Sequence, residues 1–375
     1  MVVTQARHIW TNSKAAGLYT EKQKYLDNAE HGFIFLKNNM WDPVHGGFFN
    51  LVTRNGEPIL QRGQEKTAYG NAFAIYGLAE YYRASGNEEV LQLAKNSFYW
   101  LEEMAHDRKY KGYFNTLEVD GTPIQRTEEW PSTSDVGYKD QNSSIHLLEA
   151  FTTLYEVWPN ELLRERLEEM LLLIRDTITT EKGHMNLFFQ PDWTSVSFKD
   201  KSREEIAKHY YLNHVSFGHD VETAYLMLEA SHALGWENDS LTLQKGKIMV
   251  DHSLRTGWDK DKGGFYDGGY YFEGEEQITI VNNQKNWWAQ AEGLNTLFIL
   301  SRYFPEDEMD YRQFFEQQWD YIQNYIIDKK NGGWYEWGLD QNPKAKDDLK
   351  GHIWKATYHN FRALQNVMRM LMEEK

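Results

Sequence analysis

Three histidines in this chain sit in settings that suit proton transfer. In Ser216-Phe217-Gly218-His219-Asp220-Val221-Glu222, His219 and Glu222 are three residues apart, so on a helix both project from one face. A carboxylate beside an imidazole orients it and raises its basicity, as a general base requires. Gly218 leaves room for a ligand near the helix start. In Trp354-Lys355-Ala356-Thr357-Tyr358-His359-Asn360-Phe361-Arg362, His359 and Arg362 share a face in the same way. In Asn142-Ser143-Ser144-Ile145-His146-Leu147-Leu148-Glu149, Asn142 and His146 lie one turn apart. A fourth segment, Trp287-Trp288-Ala289-Gln290-Ala291-Glu292, opens another apolar helix, and Gln290 and Glu292 are costly to bury without a purpose. The competing reading of each segment is a buried, hydrogen-bonded histidine or a Trp pair that only holds a helix in place.

Other chemistries find less support. Cysteine is absent, which rules out a disulfide framework, a thiolate metal site and a cysteine nucleophile. No phosphate-binding glycine loop, dinucleotide fingerprint, GxSxG elbow or HExxH pair occurs. The histidines lie on separate segments with no metal-ligand spacing, so neither a metal nor a cofactor is expected. The 40 Lys and Arg against 56 Asp and Glu give a net charge of −16, which argues against nucleic acid and anionic membrane as partners. No apolar run is long enough for a membrane span, and the start lacks a basic segment followed by an apolar one. The expectation is a cytoplasmic protein, monomer or homodimer, acting on a small molecule. The 41% hydrophobic and 15% aromatic content is ample for a core.

The elements that must position these residues repeat. A Gly-aromatic element recurs at His45-Gly46-Gly47-Phe48, Lys111-Gly112-Tyr113, Lys182-Gly183-His184-Met185, Lys262-Gly263-Gly264-Phe265 and Asn331-Gly332-Gly333-Trp334, roughly every 70 residues. Asn55-Gly56 and Asp120-Gly121 are hairpin-turn dipeptides in the first two units. Between these elements lie pairs of helical segments. One member, such as 68–82, is apolar nearly all round and so must be buried on every side. Its partner, such as 160–179, is amphipathic and charged. Eleven helices are expected, near 3–18, 21–39, 66–84, 88–106, 141–157, 160–179, 214–234, 238–256, 286–304, 308–328 and 353–373. Loops are expected near 126–140 and a basic-acidic stretch at 199–209. Such alternation suits an open solenoid or an all-α (α/α)6 barrel with short hairpins between helix pairs. Six pairs would leave this count one helix short, the first. With no linker visible, residues 1–375 read as a single catalytic domain.

Taken together, these segments resemble the N-acylglucosamine 2-epimerase superfamily, in its cellobiose 2-epimerase and mannose 2-epimerase branch. The resemblance covers essentially the whole chain. Its most specific pieces are Gly218–Glu222, Trp287–Glu292 and Trp354–Asn360, with Leu187–Trp193 and the glycine hairpins in support. Two positions depart from the family pattern: Thr357 stands where a proline precedes the Tyr-His pair, and Ser143-Ser144 follow Asn142. The resemblance implies an (α/α)6 barrel and a cofactor-independent sugar epimerase. It implies that His219 and His359 are the two general acid/base groups, one on each face of the sugar C2. His146 would bind substrate and stabilise the intermediate, Arg7 would contact the sugar oxygens near C1 and C2, and Glu222 would support a catalytic histidine. Trp288 and Trp354 would line the sugar pocket, with Glu292 and Asn142 as polar contacts. The alternatives are an aldose–ketose isomerase of the same superfamily, an inverting glycoside hydrolase working with two carboxylates, and a sugar-binding scaffold without chemistry. Segments 108–140 and 262–285 are expected to close the cavity mouth and set substrate size.

Overall fold

The computed structural model describes residues 1–374. They form a helical protein that groups into two compact units, residues 1–178 with 187–196 and 229–237, and residues 179–186 with 197–228 and 238–374. No helix among the described residues is long and apolar enough to cross a membrane.

The first unit carries α1 (Val2–Leu18), α2 (Lys22–Phe35), α3 (Ala68–Ser85), α4 (Glu88–Met104), α5 (Gln141–Val157) and α6 (Glu161–Leu173). Helices α1, α3 and α5 pack side by side, and α2, α4 and α6 each pack on one of them. Of the fourteen residues from Ala68 to Tyr81 in α3, all but Tyr69 are buried, as its sequence requires. Close approach needs a missing side chain at Gly77, where a Cβ would stand 2.7 Å from the Ala6 carbonyl oxygen. Side-chain caps start these helices: Thr67 accepts from the Gly70 N–H at the head of α3, and Asp140 from the Ser143 N–H at the head of α5. Four two-residue strands, β1 (Lys66–Thr67), β2 (Thr116–Leu117), β3 (Lys139–Asp140) and β4 (Phe188–Phe189), pair antiparallel as β1–β2 and β3–β4.

The second unit carries the short helices α7 (Arg203–Lys208) and α8 (Tyr210–Asn213), then α9 (Phe217–Ala233), α10 (Ser240–Thr256), α11 (Trp287–Tyr303), α12 (Tyr311–Tyr321) and α13 (Tyr358–Glu373), with α11 packed on α12 and α13. Strands β5 (Val215–Ser216), β6 (Gly268–Tyr270) and β7 (Thr279–Asn282) form one antiparallel sheet inside the second unit. The eleven long helices agree with the expected number. Three of the charged partners end in a π-helical turn, at Leu36–Met40, Ile174–Ile178 and Ile322–Ile326.

The basic-acidic stretch at 199–209 holds α7, because Ser202 caps it and Glu204, Glu205 and Lys208 sit at the helix ends that favour their charges. One expected boundary is corrected. The last helix starts at Tyr358, not at 353. The residues before it are held out of the helix by Lys355, whose ammonium donates to the Trp334 and Lys350 carbonyls at 2.6 and 2.8 Å.

The five Gly-aromatic turns each close with an antiparallel bridge: Trp41–Phe48, His106–Tyr113, Thr179–Met185, Trp258–Phe265 and Ile327–Trp334. Four share a further device. An aspartate at the turn start bonds two turn amides through one oxygen and a lysine through the other. Lys66 reaches Asp42 at 2.7 Å, Lys139 reaches Asp107 at 2.8 Å, Lys285 reaches Asp259 at 2.6 Å and Lys350 reaches Asp328 at 2.6 Å. Each lysine also donates to a carbonyl of the same turn. The third turn has Thr180 and Val215 at these places. Replacing both members avoids leaving one buried charge alone.

Candidate active site

In the first unit, Arg7 of α1 and His146 of α5 meet on one aromatic surface supplied by α3. The Arg7 guanidinium lies 4.4 Å from the Phe73 ring centroid, and the His146 ring lies 4.6 Å from Phe73 and 5.3 Å from Tyr69. Arg7 donates to the Tyr69 hydroxyl at 3.4 Å. His146 Nδ1 and Glu149 Oε2 are 2.9 Å apart, and both residues are buried. Asn142 lies half-buried one turn before His146.

In the second unit, α9, α11 and α13 bring His219, Trp288 and His359 together. The Trp288 ring neighbours both imidazoles, 4.6 Å from His219 and 5.8 Å from His359 between centroids. Gly218 permits this, since a Cβ there would come within 2.6 Å of Trp288. Asn286 caps α11 and so fixes the turn that carries Trp288.

Each histidine has a partner on Nδ1. His219 Nδ1 lies 2.8 Å from Ser216 Oγ. His359 Nδ1 lies 2.6 Å from Glu292 Oε1 and 3.8 Å from Glu222 Oε1. Arg362 binds the same two carboxylates, donating to Glu222 at 2.5 Å and to Glu292 at 2.7 Å. Tyr225 donates to the other Glu292 oxygen at 2.8 Å, and Arg362 contacts the Tyr358 hydroxyl. One guanidinium shared by two carboxylates leaves the cluster one negative charge in excess, which favours a proton arriving on His359.

Glu222, expected to support a catalytic histidine, reaches His359 and Arg362, and Ser216 bonds His219. Glu292 has no exposure, and both its oxygens are taken by protein donors, one of its bonds going to His359. Trp354 lies ahead of α13 and is 49% exposed. Lys355, next to it, packs 5.3 Å from the Trp287 ring, and burial pushes its ammonium down to about 8. Glu222, Glu292 and His359 offer ligand atoms within 4.8 Å of one another, a spacing that a metal could use. Arg362 already supplies the cation among them.

Sequence reasoning missed Ser216, Glu149, Tyr225 and the role of Arg362. Glu149 carried a signal, since His146-x-x-Glu149 repeats the spacing of His219-x-x-Glu222. Ser216 lies only three residues before His219, whereas Tyr225 and Arg362 act through chain-distant pairings.

A sequence model of the N-acylglucosamine 2-epimerase family matches residues 1–363. The chain is 29% identical to the cellobiose 2-epimerase of Bacteroides fragilis, over 96% of this chain and 85% of that one. It is 24% identical to the D-mannose isomerase of Thermobifida fusca, over 82% of this chain and 70% of that one. Among solved structures, the cellobiose 2-epimerase from Spirochaeta thermophila superposes with a TM-score of 0.81 at 29% identity, covering 98% of this chain and 85% of that one.

Proposed function

The chain belongs to the N-acylglucosamine 2-epimerase family, and from that premise we propose that it is a sugar 2-epimerase with His219 and His359 as its two proton-transfer groups. Its substrate is a free aldose or the reducing-end sugar of a disaccharide, of the glucose–mannose or cellobiose type. Membership makes it a carbohydrate-modifying isomerase; the pair of imidazoles gathered at one Trp288 ring is the observation that carries the finer reading.

Inverting C2 requires an open-chain aldehyde, whose carbonyl makes the C2 hydrogen acidic. His359, with Nδ1–H donated to Glu292, presents Nε2 as the base. It takes the C2 proton, and the C–H electrons form a C1–C2 double bond while O1 becomes an oxyanion. The resulting cis-enediolate collapses as His219 Nε2–H returns a proton to the opposite face of C2 and the aldehyde reforms. In the reverse direction the two roles exchange. No electrons are gained or lost, so the cycle needs no redox partner. Trp288 offers a flat apolar face for the sugar. Arg7, Asn142 and His146 are proposed as substrate contacts on the family resemblance, and substitution of each is expected to lower turnover or raise KM.

The decisive experiment follows deuterium. In D2O, with mannose, glucose and cellobiose as substrates, an epimer carrying deuterium at C2 and its original hydrogen at C1 is expected. Dominant ketose with deuterium at C1 would transfer the assignment to an aldose–ketose isomerase, the reading that the Thermobifida fusca relative favours. Cleavage of cellobiose without either label would indicate a hydrolase. That chemistry needs two carboxylates facing substrate, whereas Glu222 and Glu292 are buried against Arg362.

A further inference from the structure

Asp220 follows His219 directly, is 1% exposed, and has no part in the proton transfer above. Its Oδ1 accepts the Met185 N–H at 2.9 Å, while its Oδ2 has no hydrogen-bond partner. The same position of the repeat is occupied elsewhere by a neutral side chain. Four residues after the Thr67 cap, Asn71 Oδ1 accepts the Phe48 N–H at 2.9 Å. Four after the Asn286 cap, Gln290 Oε1 accepts the Phe265 N–H at 3.0 Å. Phe48, Met185 and Phe265 hold matching places in their turns. The second atom at this position is a donor. Asn71 Nδ2 gives a hydrogen bond to the Thr67 carbonyl at 2.9 Å, and Ser144 Oγ gives one to the Asp140 carbonyl at 2.7 Å, each four residues back.

The position thus calls for one acceptor and one donor. An ionised aspartate has only acceptors, and a protonated one has both. Complete burial pushes the Asp220 carboxyl well above the usual carboxylate range, with the Met185 N–H opposing. Four residues before Asp220 stands Ser216, whose hydroxyl meets His219 Nδ1.

We propose that Asp220 is a positioning residue for His219: as a neutral acid it accepts from Met185 and donates its Oδ2 proton to the Ser216 carbonyl. This fixes the residue through which the protein addresses His219. It also keeps a formal charge away from an imidazole that must both take and release a proton. The surrounding groups fit a neutral neighbour. Tyr271 and His252 are bonded to each other at 2.8 Å, the His184 ring lies tilted 5.2 Å from His252, and the Lys182 ammonium is placed over Tyr271. The kinetic part of the proposal rests on the two-histidine reading; the protonation part does not.

Asp220→Asn and Asp220→Ala test it. Asparagine reproduces the neutral acid, so D220N is expected to keep wild-type kcat, KM and pH profile. D220A is expected to lower kcat by about 10²-fold with KM little changed, the effect of a misplaced catalytic group. Infrared spectroscopy of the wild type at neutral pH should show a protonated carboxyl stretch that D220N lacks. Nitrogen-15 NMR should give His219 the same titration midpoint in wild type and D220N. D220N as impaired as D220A, absence of the infrared band, or a lowered His219 midpoint in D220N would each overturn the proposal. So would a D220A protein of lower stability but normal kcat. If D220A does not fold, D220N and the two spectra decide. A wild type that leaves C2 of every sugar unexchanged defeats the epimerase reading, while the spectra still judge Asp220.

Discussion

Two histidines in this protein stand three residues ahead of a glutamate, and they use that neighbour differently. His146 bonds Glu149, whereas His219 bonds Ser216, and Glu222 bonds Arg362 and reaches His359. Spacing fixes the face of a helix, which made His219 with Glu222 and His359 with Arg362 legible as same-face pairs, whereas the grouping of His219, His359 and Trp288 came from the family resemblance. Spacing does not fix which partner a side chain chooses across the chain. His359 and Glu292 are 67 residues apart, and Arg362 and Glu222 are 140 apart, so no local pattern contains them. His219→Ala and His359→Ala should each cost roughly 10²–10⁴-fold in turnover with the helical circular dichroism intact. A near-normal rate in either would reject the two-base mechanism. Glu292→Gln should lower kcat by a comparable factor, roughly 10²–10⁴-fold, because the carboxylate holds the His359 tautomer. Normal kcat with only a raised KM would return Glu292 to the role of substrate contact. Because Arg362 is already the cation shared by Glu222 and Glu292, treatment with EDTA should leave turnover unchanged. Inactivation that a divalent ion reverses would overturn that.

Among the elements, the long helices were readable because apolar residues recur on one face or all round. The strands were not, since two to four residues carry no clear period. The start of α13 was misread because a helix-forming sequence is overruled there by two hydrogen bonds from Lys355. The cap of α5 carries a pH dependence. Burial pushes the Asp140 carboxyl up to about 6 from 3.8, against the opposing bonds from Ser143. A raised carboxyl favours the fold in its protonated form. Its contribution is full below about pH 4 and is lost as pH rises through about 6, by up to about 3 kcal/mol. Asp140→Asn keeps the cap acceptor and should flatten this fall in urea titrations between those values; an unchanged slope would assign the dependence to other groups. The aspartate–lysine pairs should be costly to halve. Lys139 has no exposure, and Lys139→Met strands Asp107 and two carbonyls, a loss of about 3–5 kcal/mol. The double variant Lys139→Met, Asp107→Thr should lose less than the single ones together. A single-variant loss under about 1 kcal/mol would mean that the pair is dispensable.

For the whole molecule, the sequence disclosed the all-α class, the fivefold turn and the alternation of buried and charged helices. The grouping into two compact units was not visible, because it depends on contacts that no periodicity encodes. Acid should weaken the fold through a buried imidazole pair. Burial pushes His184 down to about 3 and His252 to about 4, so both stay neutral when folded. The unfolded chain binds those protons near pH 6.5, and stability is therefore lost as pH falls from there toward about 4. Asp220, raised by burial, works in the opposite sense and moderates the loss. His252→Gln should shallow the acid limb measured by urea midpoints between pH 7 and 4.5, and an unaltered limb would exonerate the pair. The lysines have a consequence for how the fold opens. Lys66 holds its own turn and also the Val119 carbonyl beyond the next one; Lys139 does the same with Pro191, and Lys285 with Asp340. Each is a rivet between successive repeats, so breathing at one turn is shared by its neighbour. The Thr180–Met185 turn, with Val215 where the rivet would be, can open alone. Its amide protons should exchange with deuterated water ahead of those at Asp42–Phe48 and Asp259–Phe265, which wait for a larger, joint unfolding.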